Sequence, residues 1–356
     1  MGRRSLQLFL YLGRTLGLTF WLMTVLLLGG PLLGAVATET MDIVAQPKNL
    51  PGYSVHDAPS PSCCQGECLW SLLGVAMAQS DPMAGEAITL RPGVLFQVAH
   101  LRGQGPTLVF IHGALGNRFN WRSQFEAALE RGWGALAYDL GGHGQSSAYP
   151  AYSVGRHGRD LRRLLESQNI HAPILCCHSY GVPIGLELAR HLPLAGLVLV
   201  AGGTHDLDPW WEPPLVRWME SIGRHLFKAS LAQQIYRRLA SGGSGPALDR
   251  FFLESPLPTN VDPYRSVGPF WGYNLHRRPH PSRWREPPAL VLTGGHDPMF
   301  NRAMGEALAA QFTLGQHHHI AEAGHLLMVE EPERVNELIT SWIEALGLET
   351  RGASPA

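Results

Sequence analysis

From about residue 86 onward, apolar and polar positions follow an alternating rhythm. Short, largely apolar runs fall at residues 107–111, 135–140, 174–177, 197–200 and 289–293. Runs of that length and continuity suit strands buried on both faces. Between them, apolar residues recur at helical spacing. Trp121, Phe125, Ala128 and Leu129 mark one face, Val154, Leu161, Leu164 and Leu165 another, and residues 182–192 a third. The last helix is the most periodic: Val335, Leu338, Ile339, Trp342, Ile343 and Leu346 stand at offsets 0, 3, 4, 7, 8 and 11, a single apolar stripe. Residues 88–90 and 94–101 read as a hairpin around Pro92-Gly93, and residues 317–322 as the final strand. Strands alternating with helices predict an α/β fold, a mostly parallel sheet with helices on its faces.

The rhythm breaks between residues 203 and 286. No strand pattern occurs there. Trp210, Trp211, Trp218, Phe251, Phe252, Phe270, Trp271 and Tyr273 crowd the segment. Leu215, Met219, Ile222 and Leu226 share one helical face, and Leu231, Ile235 and Leu239 another. A helical lid inserted after the sixth strand is expected, leaving 86–202 and 287–347 as the core and 348–356 as a tail.

The N-terminal region is different. Arg3, Arg4 and Arg14 precede 24 uncharged residues, 15–38, that end near the small-x-small pattern Ala35-Val36-Ala37. A basic start, an apolar middle and a small-residue end read as a secretory signal. The same stretch is long enough for a retained signal-anchor. Export, or attachment to a membrane through residues 15–38, is expected either way. Residues 39–85 are rich in Pro, Ser and Gly and read as a linker. If that part is exported, a disulfide among Cys63, Cys64 and Cys68 is plausible chemistry. Cys176 and Cys177 fall in an apolar strand and read as packing residues.

The chain has 356 residues, 45% of them hydrophobic, enough for a large core. Lys and Arg number 28 against 29 Asp and Glu, so no general attraction to nucleic acid is expected. His317-His318-His319 invites a metal reading, but alternate strand residues face opposite ways, so at most two converge. No metal and no cofactor is expected.

Candidate chemistry sits at strand ends, where parallel sheets form their sites. The run at 174–177 stops abruptly at His178-Ser179-Tyr180-Gly181 before a helix begins. Strand, sharp turn and helix with a hydroxyl at the turn present one nucleophile above a sheet. Small neighbours are needed there; Gly181 qualifies, and Cys177 stands where a second glycine is usual. The strand at 107–111 ends in His112-Gly113-Ala114-Leu115-Gly116-Asn117, a glycine-rich loop whose N–H groups can face an oxyanion. Asp297 follows the strand at 289–293, and His325 follows the last strand. A serine hydroxyl needs an imidazole to take its proton and a carboxylate to orient that imidazole.

In these segments, with residues 139–146 and with Gly324-His325 before Glu331-Pro332-Glu333, the chain resembles the α/β-hydrolase fold family in its lid-bearing branch, over roughly residues 86–347. The resemblance implies Ser179 as nucleophile, His325 as base and Asp297 as orienting acid, with Asp206 the alternative acid. It implies an oxyanion hole from the backbone N–H groups of Ala114 and Tyr180. Relatives that open epoxides or remove halogens carry aspartate at the Ser179 position. The expectation is therefore a serine hydrolase cleaving an ester, thioester or amide of an apolar small molecule or lipid. The alternative is a non-catalytic binding protein on the same fold.

Overall fold

The computed structural model describes residues 81–203, 246–256 and 285–348, with Pro258, Asp262, Pro263, Arg265, Ser266 and Tyr273 between them. The chain divides into two compact units, Met1–Gly74 and Val75–Ala356. The expected signal or anchor, Cys63, Cys64, Cys68, Asp206 and most of the expected lid lie outside the described residues. Among the described residues no helix is long and apolar enough to cross a membrane.

Eight strands form one sheet: β1 (Glu86–Arg91), β2 (Val94–Leu101), β3 (Thr107–Ile111), β4 (Gly134–Tyr138), β5 (Ile174–His178), β6 (Gly196–Val200), β7 (Ala289–Gly294) and β8 (Gly315–Ile320). Their spatial order is β1-β2-β4-β3-β5-β6-β7-β8. The β1–β2 and β2–β4 pairs are antiparallel, and every other pair is parallel. The helices, in chain order, are α1 (Arg122–Glu130), α2 (Val154–Ser167), α3 (Gly181–Ala189), α4 (Pro246–Glu254), α5 (Arg302–Ala309), α6 (Leu327–Glu330) and α7 (Pro332–Ala345). Residues 118–121 form a 3-10 turn before α1.

The continuous apolar runs are explained by two cores, one on each face of the sheet. Val109, Leu136, Leu175, Cys177, Leu199 and Val291 pack on one face with Leu161 and Leu164 of α2 and Ile184 and Leu188 of α3. Their chain neighbours Leu108, Phe110, Ala135, Ala137, Ile174, Cys176, Val198 and Leu292 face the other way. They meet Phe125 of α1 and Val335, Ile339 and Trp342 of α7. With period-2 alternation and apolar residues on both faces, no polar position is left in the run.

Most expected elements keep their place, and the differences have local causes. The last strand begins at Gly315, earlier than its apolar content suggests, because parallel pairing to β7 sets its register from Ala289↔Gly315 onward. The final helix opens at Pro332, a residue suited to a first turn because its missing N–H has no helical partner there. At the end of the expected linker, Met83 is fully buried in the α1 face of the core. Asp81 there accepts the Met83 N–H and pairs with Arg122.

The loop after β4 is tied into the fold through Asp139. Asp139 accepts hydrogen bonds from the N–H groups of Arg118 and Gln145 and pairs with the Arg118 guanidinium at 2.8 Å. This ties the loop after β3 to the loop after β4.

The β5–α3 junction answers the question that Cys177 raises. A methyl on Gly185 of α3 would stand 2.4 Å from the Cys177 sulfur. The glycine is displaced, from the strand to the facing helix. Gly185→Ala should destabilise the protein by about 1–3 kcal/mol through overpacking. Adding Cys177→Gly should return much of that loss. A double-mutant cycle by urea unfolding reads this coupling, and additive losses would contradict the shared space.

Candidate active site

Ser179 stands at the carboxyl end of β5 with φ of 49°. This left-handed conformation is disfavoured for any residue with a Cβ. It is held from both sides: the Ser179 N–H donates to the Val200 carbonyl (2.9 Å), and its own carbonyl accepts from the Val182 N–H (3.0 Å). Glycines surround it because nothing larger fits. A Cβ on Gly181 would meet the Ile111 carbonyl oxygen at 2.6 Å. One on Gly202 would meet the Ser179 carbonyl oxygen at 2.6 Å, and one on Gly113 would stand 3.1 Å from the Ser179 Cβ.

Three of the expected residues come together. His325 Nε2 lies 3.0 Å from Ser179 Oγ, and His325 Nδ1 lies 2.9 Å from Asp297 Oδ2. Asp297 Oδ1 accepts from the N–H groups of Met299 (2.8 Å) and Phe300 (3.0 Å), which orient the carboxylate. A carboxylate accepts, so Nδ1–H donates to it and Nε2 is left to accept the serine proton. Asp297 and His325 are buried, and Ser179 is half-buried. Ala114 lines the cleft over Ser179, and Tyr180 follows it directly as the buried first residue of the turn.

The loop that carries His325 is gripped from two further directions that the sequence does not announce. The Glu330 carboxylate accepts the N–H groups of Gly324 (2.9 Å) and Leu326 (3.0 Å), bracketing the histidine. His178 Nε2 donates to the His325 carbonyl at 2.9 Å. The chain spacing from His325 to Glu330 was the available signal for the first contact. Nothing local signals the second, which joins residues 147 positions apart.

The cleft of ≈ 370 Å³, mouth included, is lined by Ala114, Leu115, Asn120, Ser179, His325 and Leu326, with Phe251, Phe252 and Ser255 at and just beyond α4. Of the described residues between β6 and β7, only Phe251, Phe252 and Ser255 line the cleft. His317 and His319 both point to the Thr293 hydroxyl, at 2.8 and 3.0 Å, away from the cleft lining. Among the described residues no set of three or more His, Cys, Asp or Glu side chains is arranged to hold a metal ion.

The ground beneath the site is rich in neutral histidine. Burial lowers the pKa of His112, His143 and His157 to about 3. His112 is fixed as one tautomer, with Nδ1–H donating to the Gly113 carbonyl and Nε2 accepting from the Leu140 N–H. Burial first, then the neighbouring His325, pushes His178 well below the ordinary value.

These shifts have a sign. Unfolded imidazoles titrate near 6.5, so between about 6.5 and 3 the unfolded chain binds the extra protons. Stability is complete above about 6.5 and falls as pH drops toward 3, with a limiting slope of about 1.4 kcal/mol per pH unit for each such histidine. His157 packs against Tyr149, Tyr152 and Tyr180, and neither ring nitrogen has a partner among the described residues. His157→Phe should therefore flatten the decline in urea midpoint between pH 7 and 4.5. An unchanged slope would contradict the assignment.

Comparison with known proteins agrees with this architecture. Residues 106–332 match the family described as the alpha/beta hydrolase fold. Bifunctional epoxide hydrolase 2 of Sus scrofa is 22% identical over 303 residues, covering 72% of this chain and 54% of that protein. Protein ABHD8 of Homo sapiens is 27% identical over 253 residues, covering 66% of this chain and 54% of that protein. The chain thus spans about half the length of the curated relatives it matches. Among solved structures, the esterase EaEST from Exiguobacterium antarcticum superposes with a TM-score of 0.64 at 16% identity, covering 73% of this chain and 99% of that one. A putative aryl esterase from Burkholderia cenocepacia superposes with a TM-score of 0.59 at 26% identity, covering 73% and 98%. With a family match across most of its length, an eight-stranded sheet and the Ser179 turn in place, the chain belongs to the alpha/beta hydrolase fold family.

Proposed function

We propose that this protein is a serine hydrolase that cleaves a small acyl ester, or the related thioester or amide, through an acyl-enzyme. The observation that carries the reading is the unbroken chain of contacts from Asp297 through His325 to the Ser179 hydroxyl. His325 takes the Ser179 proton as Oγ attacks the carbonyl carbon. Asp297 holds the imidazole in the required tautomer and stabilises the imidazolium. The backbone N–H groups of Ala114 and Tyr180 are assigned to the developing oxyanion, where donors fixed in advance give large rate gains. His325 then protonates the leaving group. Water, activated by the same imidazole, releases the acid and regenerates the serine.

The name of one relative invites comparison with epoxide opening, but the residue at position 179 argues against it. Attack of a carboxylate on an epoxide gives an ester that water can hydrolyse. Attack of a serine hydroxyl would give an ether, which offers no carbonyl for the second step. Acyl transfer is the chemistry in which a serine turns over.

Ser179→Ala should abolish hydrolysis of short 4-nitrophenyl esters, with a loss of about 10⁴-fold or more in kcat, while the thermal midpoint stays within a few degrees. A fluorophosphonate probe should label Ser179 in the unaltered protein and lose that labelling in His325→Ala. Ester turnover surviving in Ser179→Ala would overturn the assignment.

A further inference from the structure

Three polar side chains of the cleft stand outside the triad, and one of them, His178, is already bonded to the His325 carbonyl. Asn120 and Ser255 line the same cleft as Ser179, and both are buried, at 4% and 5% exposure. The Asn120 side chain is fixed by its carbonyl end: Oδ1 accepts the Asn117 N–H at 3.0 Å as part of a capping box. That bond settles the orientation of the amide, since an N–H requires an acceptor. The whole amide lies against Gly116, where an added Cβ would stand 2.7 Å from Nδ2 and 2.9 Å from Oδ1. Among the described residues no group accepts from the NH₂ end. Ser255 donates its backbone N–H to the Phe251 carbonyl at 2.7 Å. Its hydroxyl makes no hydrogen bond among the described residues. The remainder of the lining away from Ser179 and His325 is chiefly apolar, with Leu115, Phe251, Phe252 and Leu326.

Resting on the acyl-hydrolase reading, we propose that Asn120 and Ser255 form a polar subsite that selects an ester bearing a hydrogen-bond-accepting oxygen close to the reacting carbonyl. A buried donor without a protein partner is satisfied by whatever fills the cleft. A ligand that displaces solvent from it without an acceptor loses that bond, and a ligand with one keeps it. A site built to hydrogen-bond a substrate group rejects the analogue that lacks it far more strongly than a greasy wall discriminates one methylene. The favoured substrate is therefore mostly apolar with one ether, hydroxyl or carbonyl oxygen. These two residues determine specificity and take no part in bond breaking.

The test uses the full chain and two isosteric ester pairs. Methoxyacetyl against butanoyl 4-nitrophenyl esters places the acceptor on the acyl side. 2-Methoxyethyl against butyl acetate places it on the alcohol side. Each kcat/KM is divided by the ester's hydroxide-catalysed rate, which removes intrinsic reactivity. The unaltered protein should prefer the oxygen-bearing member of one pair by about tenfold, and that pair identifies the side. Asn120→Asp keeps the acceptor for the Asn117 N–H but removes the donor. Ser255→Ala removes the hydroxyl at nearly constant size. Each should lower the preference severalfold. Equal normalised rates within both pairs, or a preference unmoved by either variant, would overturn the subsite while leaving the hydrolase reading standing. Hydrolysis of none of the four esters would overturn the hydrolase reading and the subsite with it.

Discussion

The architecture depends on a left-handed serine where two parallel strands end side by side. Ser179 at φ 49° carries a backbone cost on the order of 1–3 kcal/mol. Its N–H is bonded to β6 and its carbonyl to the first turn of α3, so the cost is met by the sheet itself. The β3 loop, the β5 turn and the β6 loop all approach closely enough to demand glycine, at 113, 181 and 202 respectively. Because that space is shared, a change in the packing of any of the three strands is transmitted to the serine hydroxyl.

The histidine loop is built on the opposite principle. Ser179 is held by packing and His325 by hydrogen bonds. Asp297 fixes the ring, Glu330 fixes the residues on either side, and His178 fixes the carbonyl. The two sides meet because His178, the residue before the serine, donates directly to the backbone of the base. A proton-transfer contact of 3.0 Å is thus set by one short path through the protein. The neutral histidines beneath it fit this design. A protonated imidazole at 112, 143 or 178 would place positive charge under a base that must become cationic during the proposed reaction.

The sheet, its mostly parallel order and the positions of Ser179, Asp297 and His325 were legible from the chain. Each rests on a local pattern: an apolar run of fixed length, a strand ending in a small or titratable residue, a helix stripe. The edge strand β8 was placed too late. Its polar sequence Gly315-Gln316-His317-His318-His319 has no buried alternation to reveal it. Cys177 looked like a flaw in the turn, because its compensation at Gly185 lies eight residues away across the β5–α3 contact.

What the sequence determined by itself was the alternation of elements and the residue types available at strand ends, since periodicity and side-chain chemistry are local properties. Tertiary structure alone decided which of those residues touch. Asp297, His325 and Ser179 converge across more than a hundred positions of chain because strand order brings β5 and β7 to opposite sides of β6. The Glu330 bracket, the His178 contact and the presence of Asn120 and Ser255 in one cleft also exist only in three dimensions. Hydrogen bonds depend on distance and direction, and a linear pattern of residue types encodes neither.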